Sequence, residues 1–176
     1  ADDEIVGDGA QGILTQAGGS HTVNYDLKVG KESAGTFTLT GGTVTVNGNE
    51  YVGLNASGIF TQKKETANII AGDLIMGDEG IYNYEWDFEP GPQPYPAKPV
   101  LEVINITGTG TFNMDVLMSD EETPFVFTSI EVGELNIGEV YAGTLILQDG
   151  QSLTADTMTL GITEAGTIYQ YGGDVE

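Results

Sequence analysis

The feature that most constrains this chain is a repeat of about 23 residues, marked by pairs of glycines. Gly7, Gly30 and Gly53 are 23 residues apart, and Gly138 and Gly161 have the same spacing. A second glycine follows five residues later in five of the copies, and seven copies can be aligned along the chain. A unit this short cannot close a hydrophobic core by itself, so successive units must stack to bury one.

Between the glycines, apolar and polar residues alternate, as in GTFTLT and GGTVTV. Large apolar residues stand two positions after the second glycine: Leu14, Phe37, Phe60, Tyr82, Phe112, Leu145 and Ile168. Apolar residues also precede the first glycine position: Val6, Val29, Val52, Met76, Ile104, Ile137 and Leu160. Alternation with period two is typical of strands, and glycine pairs are typical of turns.

This pattern predicts an all-β fold with a single domain over residues 1–176. We expect a parallel β-helix, or β-solenoid, of about seven coils, in which equivalent apolar residues form ladders along the stack. Residues 27–42 align without a gap to residues 135–150. An antiparallel sandwich is the alternative with similar strand content, but it does not require this register.

Two insertions interrupt the repeat, at about residues 85–99 and 118–127. The first contains five of the six prolines, which cannot donate to a strand ladder, so it is predicted to leave the solenoid as a stiff loop. Trp86, Phe88 and Tyr95 are its candidate contact residues. They are expected to pack on the solenoid wall, or to contact a neighbouring fibre or a glycan.

The stretch GTFTLTGGTVTVNGNEYVGLNASGIFTQ, residues 35–62, resembles repeats of bacterial autotransporter-type surface proteins. It is also similar to repeats of surface proteins that carry a PEP-type sorting signal. The resemblance covers residues 5–82 and 135–173. It implies a right-handed parallel β-helix that is exported and acts as a stalk, adhesin or surface polymer, and it supplies no catalytic residues.

The charge of the chain limits its partners. The 27 acidic residues face five lysines, and the net charge is −22. This charge repels nucleic acid and anionic membrane surfaces. There is no run of about 18 apolar residues, so no membrane span is predicted. An extracellular or cell-surface location is expected.

The composition also disfavours catalysis. The chain lacks cysteine and arginine, and His21 is its one histidine, expected on an exposed strand position. Thiol chemistry, a histidine zinc site and arginine-assisted cleavage of acidic glycans therefore lack their usual residues. Two-carboxylate hydrolysis stays open on composition, but no acid has a distinctive context. The prediction is that the protein is not an enzyme.

The chain ends suggest assembly. A second copy beginning after Glu176 would place its Gly7 22 positions after Gly161, one short of the repeat. We therefore expect a structural subunit of an extracellular fibre that polymerises head to tail by completing a split coil. The alternatives are boundaries cut from a longer solenoid, and an adhesive module that binds a glycan or host surface. The predicted interface comprises Ile5, Val6, Gly7, Gly172, Gly173 and Val175.

The same junction would bring carboxylates together. The candidate calcium ligands are Asp2, Asp3, Glu4, Asp174 and Glu176. Carboxylate oxygens are the ligands that calcium prefers, and unneutralised acids at one junction would repel each other. Calcium, or acid, is therefore predicted to control assembly.

Overall fold

The computed structural model describes residues 2–63, 65–85, 100–115, 125–127, 129–137, 143–147, 150–161, 166–171 and 174–175. Within these residues every regular element is a β-strand, and all strand pairs are parallel. No helix long and apolar enough to cross a bilayer occurs in them. The predicted all-β class is confirmed.

Eighteen strands follow one another along the described chain. They are β1 (Glu4–Val6), β2 (Gly12–Val23), β3 (Leu27–Val29), β4 (Gly35–Val46), β5 (Glu50–Val52), β6 (Gly58–Gln62), β7 (Thr66–Ile70), β8 (Leu74–Met76), β9 (Gly80–Glu85), β10 (Val100–Glu102), β11 (Asn105–Gly108), β12 (Thr111–Asp115), β13 (Phe125–Val126), β14 (Ser129–Ile137), β15 (Gly143–Leu147), β16 (Ser152–Leu160), β17 (Gly166–Gln170) and β18 (Asp174–Val175).

The strands stack in three rows around one core. Row 1 contains β1, β3, β5, β8 and β11, and row 2 contains the first half of β2, the first half of β4, β6, β9 and β12. Row 3 contains the second halves of β2 and β4, followed by β7, β10 and β13. The result is a parallel β-solenoid of about five turns, which confirms the predicted type of fold.

Beyond β13 the strands do not all continue the three rows in the described residues. Strand β14 extends rows 1 and 2 and pairs with β16, which in turn pairs with β18. Strands β15 and β17 form a separate two-stranded sheet in the described residues. The predicted count of seven coils is therefore not confirmed.

An aromatic ladder forms the centre of the core in row 2. Phe37, Phe60, Tyr82 and Phe112 are fully buried, and consecutive ring centroids lie 4.8, 4.8 and 5.5 Å apart in near-parallel stacks. The spacing follows the distance between neighbouring strands, which is about 4.8 Å. Burial of each ring stabilises the fold by about 1.5–3 kcal/mol, with stacking in addition. The predicted ladder is confirmed over this stretch.

The ladder then departs from the sequence alignment. Phe112 pairs with Leu135, whereas Leu145 pairs with Ile168 in the separate sheet. Ile104 is also wrongly placed by the repeat, because Gly108 is the residue opposite Met76 and Ile104 is half exposed. The match between residues 27–42 and 135–150 therefore joins different parts of the coil.

A shortening turn explains this shift. Five residues separate row 1 from row 2 at 7–11, 30–34 and 53–57, but three do so at 77–79 and two at 109–110. Strand β14 passes from row 1 to row 2 without a break. The glycine pair at 138 and 143 consequently follows a row 2 strand instead of preceding one.

The longer turns require glycine for space as well as for backbone angle. Gly30 has φ +79°, in the left-handed region that favours glycine. A Cβ on Gly35 would lie 2.1 Å from the Val6 carbonyl oxygen and 2.3 Å from the Gly30 nitrogen. Adjacent coils therefore meet backbone to backbone at this corner.

We expect Phe60→Ala to lower the free energy of unfolding by about 3–5 kcal/mol, because it opens a cavity between two stacked rings. Urea unfolding followed by circular dichroism measures this. The control is Ile13→Ala, whose side chain is 73% exposed, with an expected change within about 0.5 kcal/mol. Equal losses for both variants would contradict the buried ladder.

A pair of glycine variants tests the corner. Gly35→Ala is expected to lower the free energy of unfolding by about 1–3 kcal/mol or more, since the new methyl group meets backbone atoms of two neighbouring segments. Gly9→Ala has open space around its Cβ and should be neutral or slightly stabilising. Thermal melts of both variants measure these changes. A Gly35→Ala variant as stable as wild type would contradict the close backbone contact at Gly35.

Candidate functional site: the edge of the first coil

The first coil offers an unpaired strand edge. Within the described residues, β1 pairs only with β3, and the twelve-residue β2 pairs only with β4. Gly12 donates its N–H to the Ala34 carbonyl in the second coil, at 2.9 Å. Because alternate residues of a strand point their amides to opposite sides, Ile13 and Thr15 point theirs away from the second coil. We call this side of β1 and β2 the first-coil edge.

Three of the predicted interface residues lie together at this edge. Ile5 is 37% exposed, whereas Val6 is buried opposite Val29. The Gly7 carbonyl accepts from the backbone N–H groups of residues 31, 32 and 33 in the next coil's turn, so it faces the second coil and not the free side. Val175 lies in β18 opposite Leu153, at the other end of the stack. Gly172 and Gly173 lie outside the described residues.

The predicted register of the split coil is wrong. It required Gly161 of one copy and Gly7 of the next copy to follow equivalent strands. Leu160 pairs with Ile137 in row 2, whereas Val6 pairs with Val29 in row 1. The shortened turn between rows 1 and 2 causes the difference. As a result, β1 and β18 both belong to row 1, and they do not supply complementary parts of one coil.

Polar side chains occupy inward positions of the first coil. Glu4, Gln16 and His21 pair with Leu27, Leu39 and Val44, which are fully buried in the second coil. His21 Nε2 lies 2.7 Å from Glu4 Oε2, and Gln16 Nε2 donates to the Thr43 carbonyl at 3.1 Å.

The prediction that His21 is exposed on its strand is therefore wrong. It points over the end of the core, with its ring centroid 6.4 Å from that of Phe37. The first coil itself therefore carries polar inward groups. Glu4 Oε1 is buried and has no hydrogen-bond partner among the described residues.

Sequence reasoning missed that these polar residues recur. Glu50, Gln62 and Asn68 occupy the same three inward columns two coils further on. A usable signal was present, because Glu4 and Glu50, like Gln16 and Gln62, are 46 residues apart, which is twice the repeat. Because apolar residues recur in every copy of the repeat, they dominate the alignment and hide the polar recurrence.

A second charged group lies beside the edge. Lys28 Nζ is 2.7 Å from Asp3 Oδ2 and 3.5 Å from Asp26 Oδ2, and the Asp26 N–H donates to Asp3 Oδ1 at 3.2 Å. The hydrogen bonds from Lys28 and from the Asp26 backbone hold the pKa of Asp3 below its usual value. The hydrogen bond to Asp3 raises the pKa of Lys28.

The structure does not bring the predicted calcium ligands together. Asp3 is bound by Lys28 and Glu4 by His21, while Asp2 is exposed. No group of three His, Cys, Asp or Glu side chains that could hold a metal ion occurs in the part of the chain described. The Asp174 side chain and Glu176 lie outside that part, so calcium at a junction stays a prediction. Trp86, Phe88 and Tyr95 lie outside it as well.

Comparison of the chain with protein-family models, with curated proteins and with solved structures gives no match. The resemblance to autotransporter-type repeats therefore stays a prediction, and function must be argued from the first-coil edge and the stack.

We expect His21→Ala to lower the free energy of unfolding by about 1–2 kcal/mol, because it leaves the half-buried Glu4 carboxylate without its donor. Urea unfolding at neutral pH measures this. Tyr25→Ala serves as the control, since Tyr25 is 62% exposed on the same coil and its removal should change little. If both variants unfold at the wild-type midpoint, the contact between Glu4 and His21 does not stabilise the end.

Proposed function

We propose that this chain is a non-enzymatic structural subunit of an extracellular fibre or surface polymer, which associates end to end through the first-coil edge. The observation that carries the proposal is the outer edge of β2, a twelve-residue strand paired on one side only in the described residues. Unpaired strand edges bind further strands through their main-chain groups, which supply affinity without special side chains.

The repetitive interior supports a structural role. In row 2 an aromatic ring stacks on the ring of the coil before it, which is typical of a repeat that serves as a structural element. The proposal extends this stack to all seven repeats, with β15 and β17 continuing row 3. Extracellular placement draws on the resemblance of residues 35–62 to exported repeats.

The junction is proposed to be a coil built from two copies. In the described chain β1 lies beneath β3 in row 1, so β18, which also belongs to row 1, must displace it to take this place in another copy. We propose that β18 of one copy takes this place while β2 of the other supplies rows 2 and 3. The acids Asp2, Asp3 and Glu4 would then approach Asp174 and Glu176, so calcium or acid would favour assembly.

A proline in the first-coil edge tests the proposal. Thr15→Pro removes an N–H that points away from the second coil, so it should spare the fold and block the edge. Electron microscopy and sedimentation, each with calcium and with chelator, should show filaments for the wild-type chain and single rods for Thr15→Pro.

Thr15→Ala is the matched control, because it shortens the same side chain but keeps the N–H, and it should still polymerise. Circular dichroism confirms that the variants are folded. Wild-type chains that remain single short rods in every condition would overturn end-to-end assembly. Filaments of Thr15→Pro indistinguishable from wild type would show that the edge is not the contact.

A further inference from the structure

A polar cluster lies inside the stack, away from either end. Glu50, Gln62, Asn68 and Tyr82 are each fully buried. Asn68 Nδ2 donates to Glu50 Oε2 and to the Tyr82 hydroxyl, both at 3.0 Å. Tyr82 donates to Gln62 Oε1 at 2.8 Å, and Gln62 Nε2 donates to the Val100 carbonyl at 2.7 Å. We call these four side chains the core polar cluster.

Two acceptor oxygens of this cluster have no hydrogen-bond partner among the described residues. They are Glu50 Oε1 and Asn68 Oδ1, both buried. The two N–H groups of Asn68 are already used, and the Tyr82 hydroxyl donates to Gln62. An ionised Glu50 would therefore place a negative charge in the core with a single amide donor. A protonated Glu50 instead supplies one donor of its own to a cluster that lacks donors.

Comparison with the first coil shows what the cluster is missing. Glu4 occupies the same inward column as Glu50, two coils away, and has the imidazole of His21 at 2.7 Å. In the third coil Asn68 occupies the column of His21. The amide can donate a hydrogen bond but cannot carry a positive charge, so a proton on the carboxyl is the remaining way to avoid a buried charge.

No cation faces Glu50 from the strands packed around it. Its neighbours along the column are Leu27 and Leu74, and the titratable groups on the facing side are Tyr82 and Tyr84 of β9. The charged residues on these strands, at alternate outward positions or at strand ends, are Lys28 on β3, Glu85 on β9 and Glu102 on β10. Strands β4, β6, β7 and β8 contain no charged residue.

We propose that Glu50 is a proton-controlled latch of the solenoid: the protonated carboxyl closes the core polar cluster, and loss of its proton loosens the coil formed by β5, β6 and β7. Burial raises the pKa of Glu50 from 4.5 to about 8, although the Asn68 hydrogen bond opposes part of this. The folded chain therefore holds a proton that the unfolded chain releases near pH 4.5. Stability from this group is complete below that pH and is lost as the pH rises through about 8.

This latch does not depend on end-to-end association, because all four side chains belong to one copy. It would make alkaline pH a signal that opens the stack from within. It also predicts that opening begins in one particular coil. Apolar coils such as the one containing Leu27, Leu39 and Val44 should stay closed over the same pH range.

The test compares the wild-type chain with Glu50→Gln, whose amide keeps the shape of a protonated carboxyl but cannot ionise. Urea midpoints are measured from pH 5 to pH 9. The wild-type folding equilibrium constant should fall by up to about tenfold per pH unit between roughly pH 5 and 8, and Glu50→Gln should lose this dependence. Glu102→Gln, an exposed carboxyl on β10, should keep the wild-type dependence.

A second measurement covers the case in which Glu50→Gln fails to fold. Carboxyl ¹³C chemical shifts of the wild-type chain report directly whether Glu50 is protonated at pH 6, and amide exchange at pH 6 and pH 9 locates the opening. Protonation at pH 6, together with lower protection factors in β5 and β7 at pH 9 than at pH 6, supports the latch; protection factors are used because the intrinsic exchange rate itself rises with pH. An ionised Glu50 at pH 6, or the same pH dependence in Glu50→Gln and wild type, would overturn it.

Discussion

The rest of the structure depends on the stacking of one coil on the next in register. Each inward residue must pack against its equivalents at about 4.8 Å, the distance between neighbouring strands. Planar rings meet this condition well, and Phe37, Phe60, Tyr82 and Phe112 stack face to face at that spacing or slightly beyond it. The corners meet the same condition with glycine, because a Cβ on Gly35 would collide with the backbone of the adjoining coil.

Apolar ladders alone do not determine the register in which the coils stack, since Leu27 and Leu74 offer the same apolar surface. The polar residues in the same columns remove this ambiguity. Asn68 reaches Glu50 and Tyr82, and Tyr82 reaches Gln62, only when β5, β6 and β7 lie at one level with β9 in the next coil. A slip of one coil would bury these groups against leucine and valine, at a cost of several kcal/mol for the unpaired polar atoms. The buried cluster therefore specifies register as well as responding to protons.

Much of the fold could be predicted from the sequence, because glycine pairs and alternating residues directly reflect corners and strands. The ladder from Phe37 to Phe112 followed from that pattern. The position of Leu145 did not, because a glycine pair marks a corner without saying which corner of the coil it is. The inward positions of His21 and Glu50 were not predicted for a different reason: the sequence does not show whether a polar residue on an alternating strand points inward. Only the pairing of His21 with Val44, and of Glu50 with Leu27 and Leu74, settles that direction.

The two long connections begin at one corner of the coil. Residues 86–99 join β9 to β10, and residues 116–124 join β12 to β13, so both follow row 2. Their points of departure, Glu85 and Asp115, are paired in adjacent strands. The corner between rows 1 and 2 is closed by backbone contact, whereas this corner accepts extra chain without altering the core. Peptides inserted directly after Glu85 and after Asp115 would therefore begin as a close pair, about one strand spacing apart at one corner of the solenoid.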